Sequence, residues 1–285
     1  MPAKLLEGKV IAAGLKGKIN SEVAALKAKY ANVPRLLAVQ IGENASSAVY
    51  VKAQKKAAES LGIEYELKVL PETLSQGEAE SLIERLNNDK SVTAIILQLP
   101  VPKAIDAKKL IGRIAPEKDA EGIHPQNLGR ILLGNYKIGP CTAMAVMELL
   151  ESTGIKLYGK EAVVVGHSEI VGKPLALMLL NKFATTTVCH IGTGERGMLP
   201  DHVKRAEILV VAVGKAGIVK GDWIRGGAIV IDVGINRIGE KIVGDVEFEA
   251  AAARASYITP VPGGVGPLTT TILMRNALEL FKAQI

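Results

Sequence analysis

A tyrosine and a glutamine stand four residues apart in AVYVKAQKKAAESLGI, residues 48–63, where the apolar residues and alanines predict one helix with Tyr50 in its first turn. An α-helix turns about 100° per residue, so Gln54 shares the face of Tyr50, whereas Lys52, Lys55 and Lys56 lie roughly 100° to 200° around from it. Three ammonium groups surround this face and none lies on it. An amide donates and accepts hydrogen bonds but neither carries charge nor transfers a proton at neutral pH.

Other residue types with chemical potential are scattered along the chain. Gln98 ends a buried strand in QLPVP, 98–102; residues just beyond strand C-termini line the ligand crevice of open α/β sheets, and an amide capping an ordinary strand end fits equally well. Asp119 and Glu121 in APEKDAEGIHP have the composition of a turn, where acidic residues are common for local reasons. The stretch YITPVPGGVGPLTT, 257–270, packs three prolines and three glycines between Pro260 and Pro267, shaping a backbone that can approach a flat ligand closely. His124, His167, His190 and His202 show no metal-ligand spacing, and Cys141 and Cys189 form neither CxxC nor Cys/His spacing. No metal is expected, and both cysteines read as thiols.

Such residues need elements to hold them. With 285 residues the chain is long enough for about two domains, and with 48% hydrophobic but 4% aromatic residues its cores must be aliphatic, as in parallel sheets between helices. The first half alternates strand and helix: RLLAVQIG, helix 46–62, YELKVL, helix SQGEAESLIERLNND, VTAIILQLP. From Pro140 a second series runs as helix TAMAVMELLEST, strand EAVVVG, helix KPLALMLL and the strands TTTVCHI, ILVVAVG and AIVIDVG, apolar enough to be covered on both faces. The fold class is therefore α/β, with residues 1–139 plus 271–285 expected as one domain and 140–270 as a Rossmann-like doubly wound sheet. The boundary falls in the loop-rich segment 120–140, and a C-terminal helix over 270–282 returns to the first domain. In AVVVGHSEIVGKPLALMLL a strand ends at Gly166, and Gly172 and Pro174 open a helix whose free N–H groups favour phosphate. This is not G-x-G-x-x-G, and the same pattern serves any α/β crossover.

The charge of +6 is spread without a basic block, which argues against nucleic acid and suits anionic small molecules. The N-terminus lacks a secretory pattern and no apolar run approaches the ~18 residues of a membrane span, so a soluble, cytoplasmic protein without a membrane partner is expected.

Taken together, YVKAQKKAAESLGI, QLPVP, residues 116–132, PCTAMAVMELL, VVVGHSEIVGKPLALMLL, TTTVCH, VAVGKAG, GAIVIDVGIN, VGDV and YITPVPGGVGPLTT resemble, in order and over nearly the whole chain, the methylenetetrahydrofolate dehydrogenase/cyclohydrolase family. The resemblance implies two domains around a cleft, folate on the first and NADP or NAD on the second, a homodimer, and oxidation of 5,10-methylenetetrahydrofolate to 5,10-methenyltetrahydrofolate by hydride transfer. It assigns Tyr50, Gln54 and Gln98 to the reacting end of folate, and Glu121 with Pro262, Gly263 and Gly264 to the substrate. Gly166, His167, Ser168, Ile170, His190, Ile191, Gly214 and Ile235 would line the dinucleotide.

Three departures from the family pattern bear on activity. The family's cyclohydrolase step uses a Tyr and Lys pair one helical turn apart, and here the lysine is Gln54; loss of a general acid/base typically lowers a rate 10²- to 10⁴-fold, so cyclohydrolase activity is expected to be weak or absent. At the aspartate of K-D-x-D-G stands Glu121, longer by one methylene, about 1.5 Å of carbon chain. Where NADP-preferring members carry arginine, this chain reads GHS with His167 and CHIGTGE with Ile191, a poorer anion site than a guanidinium. NAD is thus a candidate, with Glu195 toward ribose hydroxyls, while His167 and Arg196 keep NADP open. The alternatives are the complete bifunctional enzyme giving 10-formyltetrahydrofolate, and a catalytically silent folate or nucleotide binder.

Overall fold

The structure, a computed structural model, describes residues 2–43 and 45–285, with the side chains of 45 and 46 left out. The first half runs β1 (Lys4–Leu5), α1 (Gly8–Tyr30), β2 (Arg35–Ile41), α2 (Ala45–Ser60), β3 (Glu64–Leu70), α3 (Gln76–Asn88), β4 (Ala94–Leu97), α4 (Ala107–Ile111) and α5 (Pro125–Leu132). There follow α6 (Cys141–Ser152), β5 (Glu161–Val165), α7 (Gly172–Asn181), β6 (Thr185–Cys189), α8 (Ile191–Glu195), α9 (Leu199–Arg205) and β7 (Ile208–Val211). The chain ends with β8 (Ile229–Asp232), β9 (Asn236–Ile238), β10 (Lys241–Val243), α10 (Phe248–Ala252), β11 (Tyr257–Ile258) and α11 (Val265–Lys282).

Two compact units form, one from Gly14–Cys141 with Thr270–Ile285, the other from Met1–Ala13 with Thr142–Thr269. In the first, β2 lies between β3 and β4 in a three-stranded parallel sheet. Side chains alternate across a strand, and β2 divides accordingly. Leu36 and Ala38 pack with Ile19, Ala57, Ala58, Leu273 and Leu278, while Leu37, Val39 and Ile41 pack with Leu82, Ile83 and Leu110 on the other face. Both faces are covered, which is why Leu36 to Val39 of β2 and all of β4 read as apolar runs.

The segment after α4 continues this sheet. Ile95 N–H donates to Lys118 O at 2.7 Å and Ala120 N–H to Ile95 O at 3.2 Å, laying Asp119 beside β4. The segment is also held from α11, where the buried Asn276 donates through Nδ2 to Ala120 O at 2.9 Å and Gly139 O at 3.2 Å.

The second unit is a six-stranded parallel sheet in the order β1-β11-β8-β7-β5-β6. Val163, Val165, Leu209, Val211 and Val230 meet Leu199, Val203 and Ala251 from α9 and α10. This doubly wound sheet and the C-terminal helix follow the sequence reading. Several details differ from it. The N-terminal residues cluster with the second unit because β1 pairs with β11, Lys4 opposite Tyr257, an edge pairing that two residues cannot announce in sequence. The 23-residue helix α1 has no counterpart in that reading. Segment 120–140, read as loop, contains α5, started by Pro125 at its first turn and by His124 Nδ1, which accepts from Gln126 N–H at 3.0 Å. Helix α11 begins at Val265, five residues before the expected start, and Tyr50 sits in the second turn of α2.

Replacing Asn276 by Ala leaves two buried carbonyls without their donor, so Asn276→Ala should lower the unfolding free energy in urea by about 2 kcal/mol.

Candidate functional site

In the unit built from Gly14–Cys141 and Thr270–Ile285, α2 splits its two candidate side chains. Tyr50 is 60% exposed, while Gln54 is only 8% exposed and turns toward β3 and β4. Lys52, Lys55 and Lys56 all lie in solvent, Lys55 within 4.0 Å of Glu59 one turn on. Gln98, 5% exposed, follows β4, its N–H bound to Val39 O at 2.8 Å, and its side chain donates from Nε2 to Gln54 Oε1 at 2.9 Å. The same oxygen accepts from the Tyr65 hydroxyl of β3 at 3.0 Å. Burial pushes the Tyr65 phenol up to about 12, so it remains a hydrogen-bond donor at all ordinary pH. Helix and two strands are thus joined at one neutral oxygen. Tyr65 escaped the sequence reading because a single tyrosine in an alternating strand looks like packing.

The two acidic residues behind β4 have different fates. Asp119 is consumed by its own loop: Oδ1 accepts from Gly122 N–H at 3.0 Å, and Oδ2 from His124 N–H and Asn127 Nδ2, both at 2.8 Å. Burial raises its pKa against the pull of those three donors. Glu121 is pushed up to about 8, first by burial and then by the charge of Asp119. It can therefore change protonation close to neutral pH. Cys141 is a free thiol whose pKa burial raises well above the usual value, with Sγ directed to the carbonyls of Ala120 at 3.7 Å and Glu121 at 3.9 Å. It supports the backbone carrying Glu121 and is no nucleophile.

In the other unit, the residues assigned to a dinucleotide all follow strand C-termini: Gly166 to Ile170 after β5, His190 and Ile191 after β6, Gly214 after β7, Ile235 after β8. Gly166 has φ +122°, and the backbone of Gly172 lies against it so closely that a Cβ at 172 would strike the Gly166 carbonyl. Such a turn lets backbone approach a phosphate. Ser168 Oγ caps α7 by accepting from Val171 N–H at 3.2 Å and Gly172 N–H at 3.4 Å. His167 and His190 are exposed with ring centroids 5.4 Å apart, and Ile170, Ile191 and Ile235 are exposed apolar side chains on the same strand ends.

Two carboxylates to which the sequence reading gave no role, Asp232 in the strand AIVIDVG and Asp245 in VGDV, organise this edge. Asp245 accepts from Val213 and Gly214 N–H through Oδ2 at 2.7 and 2.9 Å, and from Lys215 N–H and Asn236 Nδ2 through Oδ1, both at 2.8 Å. Asp232 accepts from Gly234, Asp245 and Val246 N–H at 2.9 to 3.0 Å, and burial, with the charge of Asp245 as a smaller contribution, lifts it to about 6. Each carboxylate presses on a glycine of the other's segment, Asp245 on Gly234 and Asp232 on Gly244, where a Cβ would collide. The available sequence signal was an acid beside a glycine in IDVG and VGDV. Beside Asp232, a cavity of about 310 Å³ is lined by Ile235, Lys9, Pro262, Gly263 and Gly264. The last three residues thus share a cavity with Ile235.

Among the described residues no group of three His, Cys, Asp or Glu could hold a metal ion, and no helix is long and apolar enough to cross a membrane. A glycine turn beside a helix start, a loop with its amides fixed and apolar side chains at the same edge fit a dinucleotide.

Comparison with known proteins places this architecture. Residues 6–121 match the catalytic-domain model of tetrahydrofolate dehydrogenase/cyclohydrolase, and 140–285 match the NAD(P)-binding domain of the same family. The bifunctional protein FolD of Geotalea daltonii is 49% identical over 281 residues, 98% of this chain and 99% of that protein. The crystal structure of the Campylobacter jejuni bifunctional enzyme FolD superposes with a TM-score of 0.95 at 41% identity, covering 99% and 100% of the two chains. FolD of Trypanosoma brucei, solved with NADP and an inhibitor, gives 0.94 at 38% identity over 99% and 98%.

Glu121 should titrate with a midpoint near pH 8 in a carboxyl ¹³C experiment, charged above that value and protonated below it, and Glu121→Gln should remove this transition.

Proposed function

The chain belongs to the tetrahydrofolate dehydrogenase/cyclohydrolase family, and from that premise we propose that it oxidises 5,10-methylenetetrahydrofolate to 5,10-methenyltetrahydrofolate with NAD or NADP, with little or no cyclohydrolase activity. The observation that carries this reading is Gln54, buried and neutral at the position where the family resemblance calls for lysine. When bound, the nicotinamide supplies the hydride acceptor. Folate gives up one methylene hydrogen with both bonding electrons, and its own nitrogens stabilise the amidinium that remains. No general base is needed, so the chain's task is to position and to exclude water. Gln54 and Gln98 supply oriented amide dipoles at the reacting end, and the Glu121 carboxyl accepts from the pterin N–H groups, as the carboxylate above its midpoint near pH 8. The strand-end residues from Gly166 to Ile235 hold the dinucleotide, with Asp245 keeping loop 213–215 in place.

Hydrolysis of the methenyl carbon differs, because the attacking water must lose a proton. Tyr50 alone faces that requirement, since the Gln54 amide takes up no proton. A second reading, the complete bifunctional enzyme, is favoured by the names of the relatives, which are called bifunctional. On the cofactor side, His167 and Ile191 provide no fixed positive charge for a 2′-phosphate, which supports use of NAD alongside NADP. Two copies associating as a homodimer is part of the same family-based proposal.

One assay separates the readings: methylenetetrahydrofolate with NAD and NADP in parallel, followed at the reduced-nicotinamide and methenyl absorbances. Methenyl product should accumulate, and Gln54→Lys should speed its decay at least 100-fold; prompt decay in the unaltered protein would instead support the bifunctional reading. Ile191→Arg, on an exposed position, should raise kcat/KM for NADP by about ten-fold, the scale of one charge-assisted hydrogen bond, with NAD unchanged.

A further inference from the structure

Gln54 Oε1 accepts two hydrogen bonds, from Gln98 Nε2 and from the Tyr65 hydroxyl. An amide whose oxygen is committed in this way directs its Nε2 elsewhere, and Gln98, committed through Nε2, directs its Oε1 away from the pair. The two amides are coupled. Turning Gln54 by 180° would set its NH₂ against the NH₂ of Gln98, so both would have to turn together, and the outward pattern would invert from a Gln98 carbonyl to a Gln98 NH₂. Tyr65 breaks the tie between these arrangements. Gln54 Oε1 is its one hydrogen-bond partner among the described residues, so in the inverted arrangement the hydroxyl would accept from Gln54 and its own hydrogen would be left in a half-buried site without an acceptor.

We propose that Tyr65 is a positioning residue for hydride transfer: by donating to Gln54 Oε1 it locks the Gln54–Gln98 amide pair so that the Gln98 carbonyl oxygen, and not its NH₂, faces the reacting end of folate. The inference rests on the dehydrogenase reading above. Positive charge develops over the folate nitrogens as the hydride leaves, and a carbonyl dipole fixed in advance stabilises that charge where an NH₂ would oppose it. Tyr65 touches neither reactant; it acts through Gln54.

The test is single-turnover oxidation of methylenetetrahydrofolate by Tyr65→Phe, which keeps the ring and removes the hydroxyl. The rate should fall about five-fold, the scale of one neutral hydrogen bond, with the nicotinamide KM within two-fold of the unaltered protein. The deuterium isotope effect on kcat from the labelled methylene should rise. In a Gln54→Ala background, where there is no oxygen to lock, the same change at 65 should alter the rate less than 1.5-fold. An unchanged rate in Tyr65→Phe, or an equal loss in both backgrounds, would overturn the proposal and leave Tyr65 a packing residue. Absence of hydride transfer in the unaltered protein would overturn the dehydrogenase reading and this inference with it.

Discussion

Parallel strands that end inside a protein leave N–H and C=O groups that water does not reach, and each must find a partner or cost one to three kcal/mol, roughly. In this chain buried polar side chains meet that demand. Asp119, Asp232 and Asp245 accept from backbone amides at or beside strand ends, and Asn276 donates to the carbonyls of Ala120 and Gly139. The candidate site exists because these groups fix backbone where an α/β sheet binds ligands. The division of labour is clear in the acids. Asp119 spends both oxygens on its loop, whereas Glu121 two residues on, beside a backbone held by Asn276, keeps a carboxyl whose protonation is unsettled near neutrality.

The same constraint explains why a glutamine is stable at position 54. A lysine at a site this buried would bring a charge out of water, and desolvation would depress its pKa, which is how a lysine becomes useful in proton transfer. Glutamine avoids that penalty and instead needs partners for its amide. Tyr65 and Gln98 provide two donors to its oxygen. A lysine there would titrate, whereas the glutamine amide only orients. On the proposed reading, chemistry that requires a proton to be moved would suffer and chemistry that requires a fixed dipole would not.

Much of this was legible in the sequence, for identifiable reasons. Strands β2, β4, β5, β7 and β8 are aliphatic and covered on both faces, so composition alone marked them. The glycine turn at Gly166 and the amide at Gln54 stood out as residue types out of place. Helix α5 was lost in a segment of glycines and asparagines because its start rests on Pro125 at the first turn and a histidine cap, and a proline among glycines and asparagines reads equally well as a turn. β1 escaped because two residues show no period, and its partner lies some 250 residues away in the chain. Asp232 was hidden by the strand that it closes and Asp245 by the loop after β10, since an acid in either place is informative only when the amides it meets are known.

Tyr65 shows most directly where sequence reading ends. Its strand alternates as a half-exposed edge strand should, and an aromatic residue there is favoured by packing alone. What gives it meaning is the Gln54 oxygen: with lysine at 54 the hydroxyl would face an ammonium and could only accept, whereas with glutamine it donates. The two positions are separated by the turn from α2 into β3, so local periodicity cannot couple them, yet the hydrogen-bonding role of one is set by the chemical identity of the other. A change of one side chain in a buried polar group therefore reassigns the roles of its neighbours, and function in such a site belongs to the network more than to any residue in it.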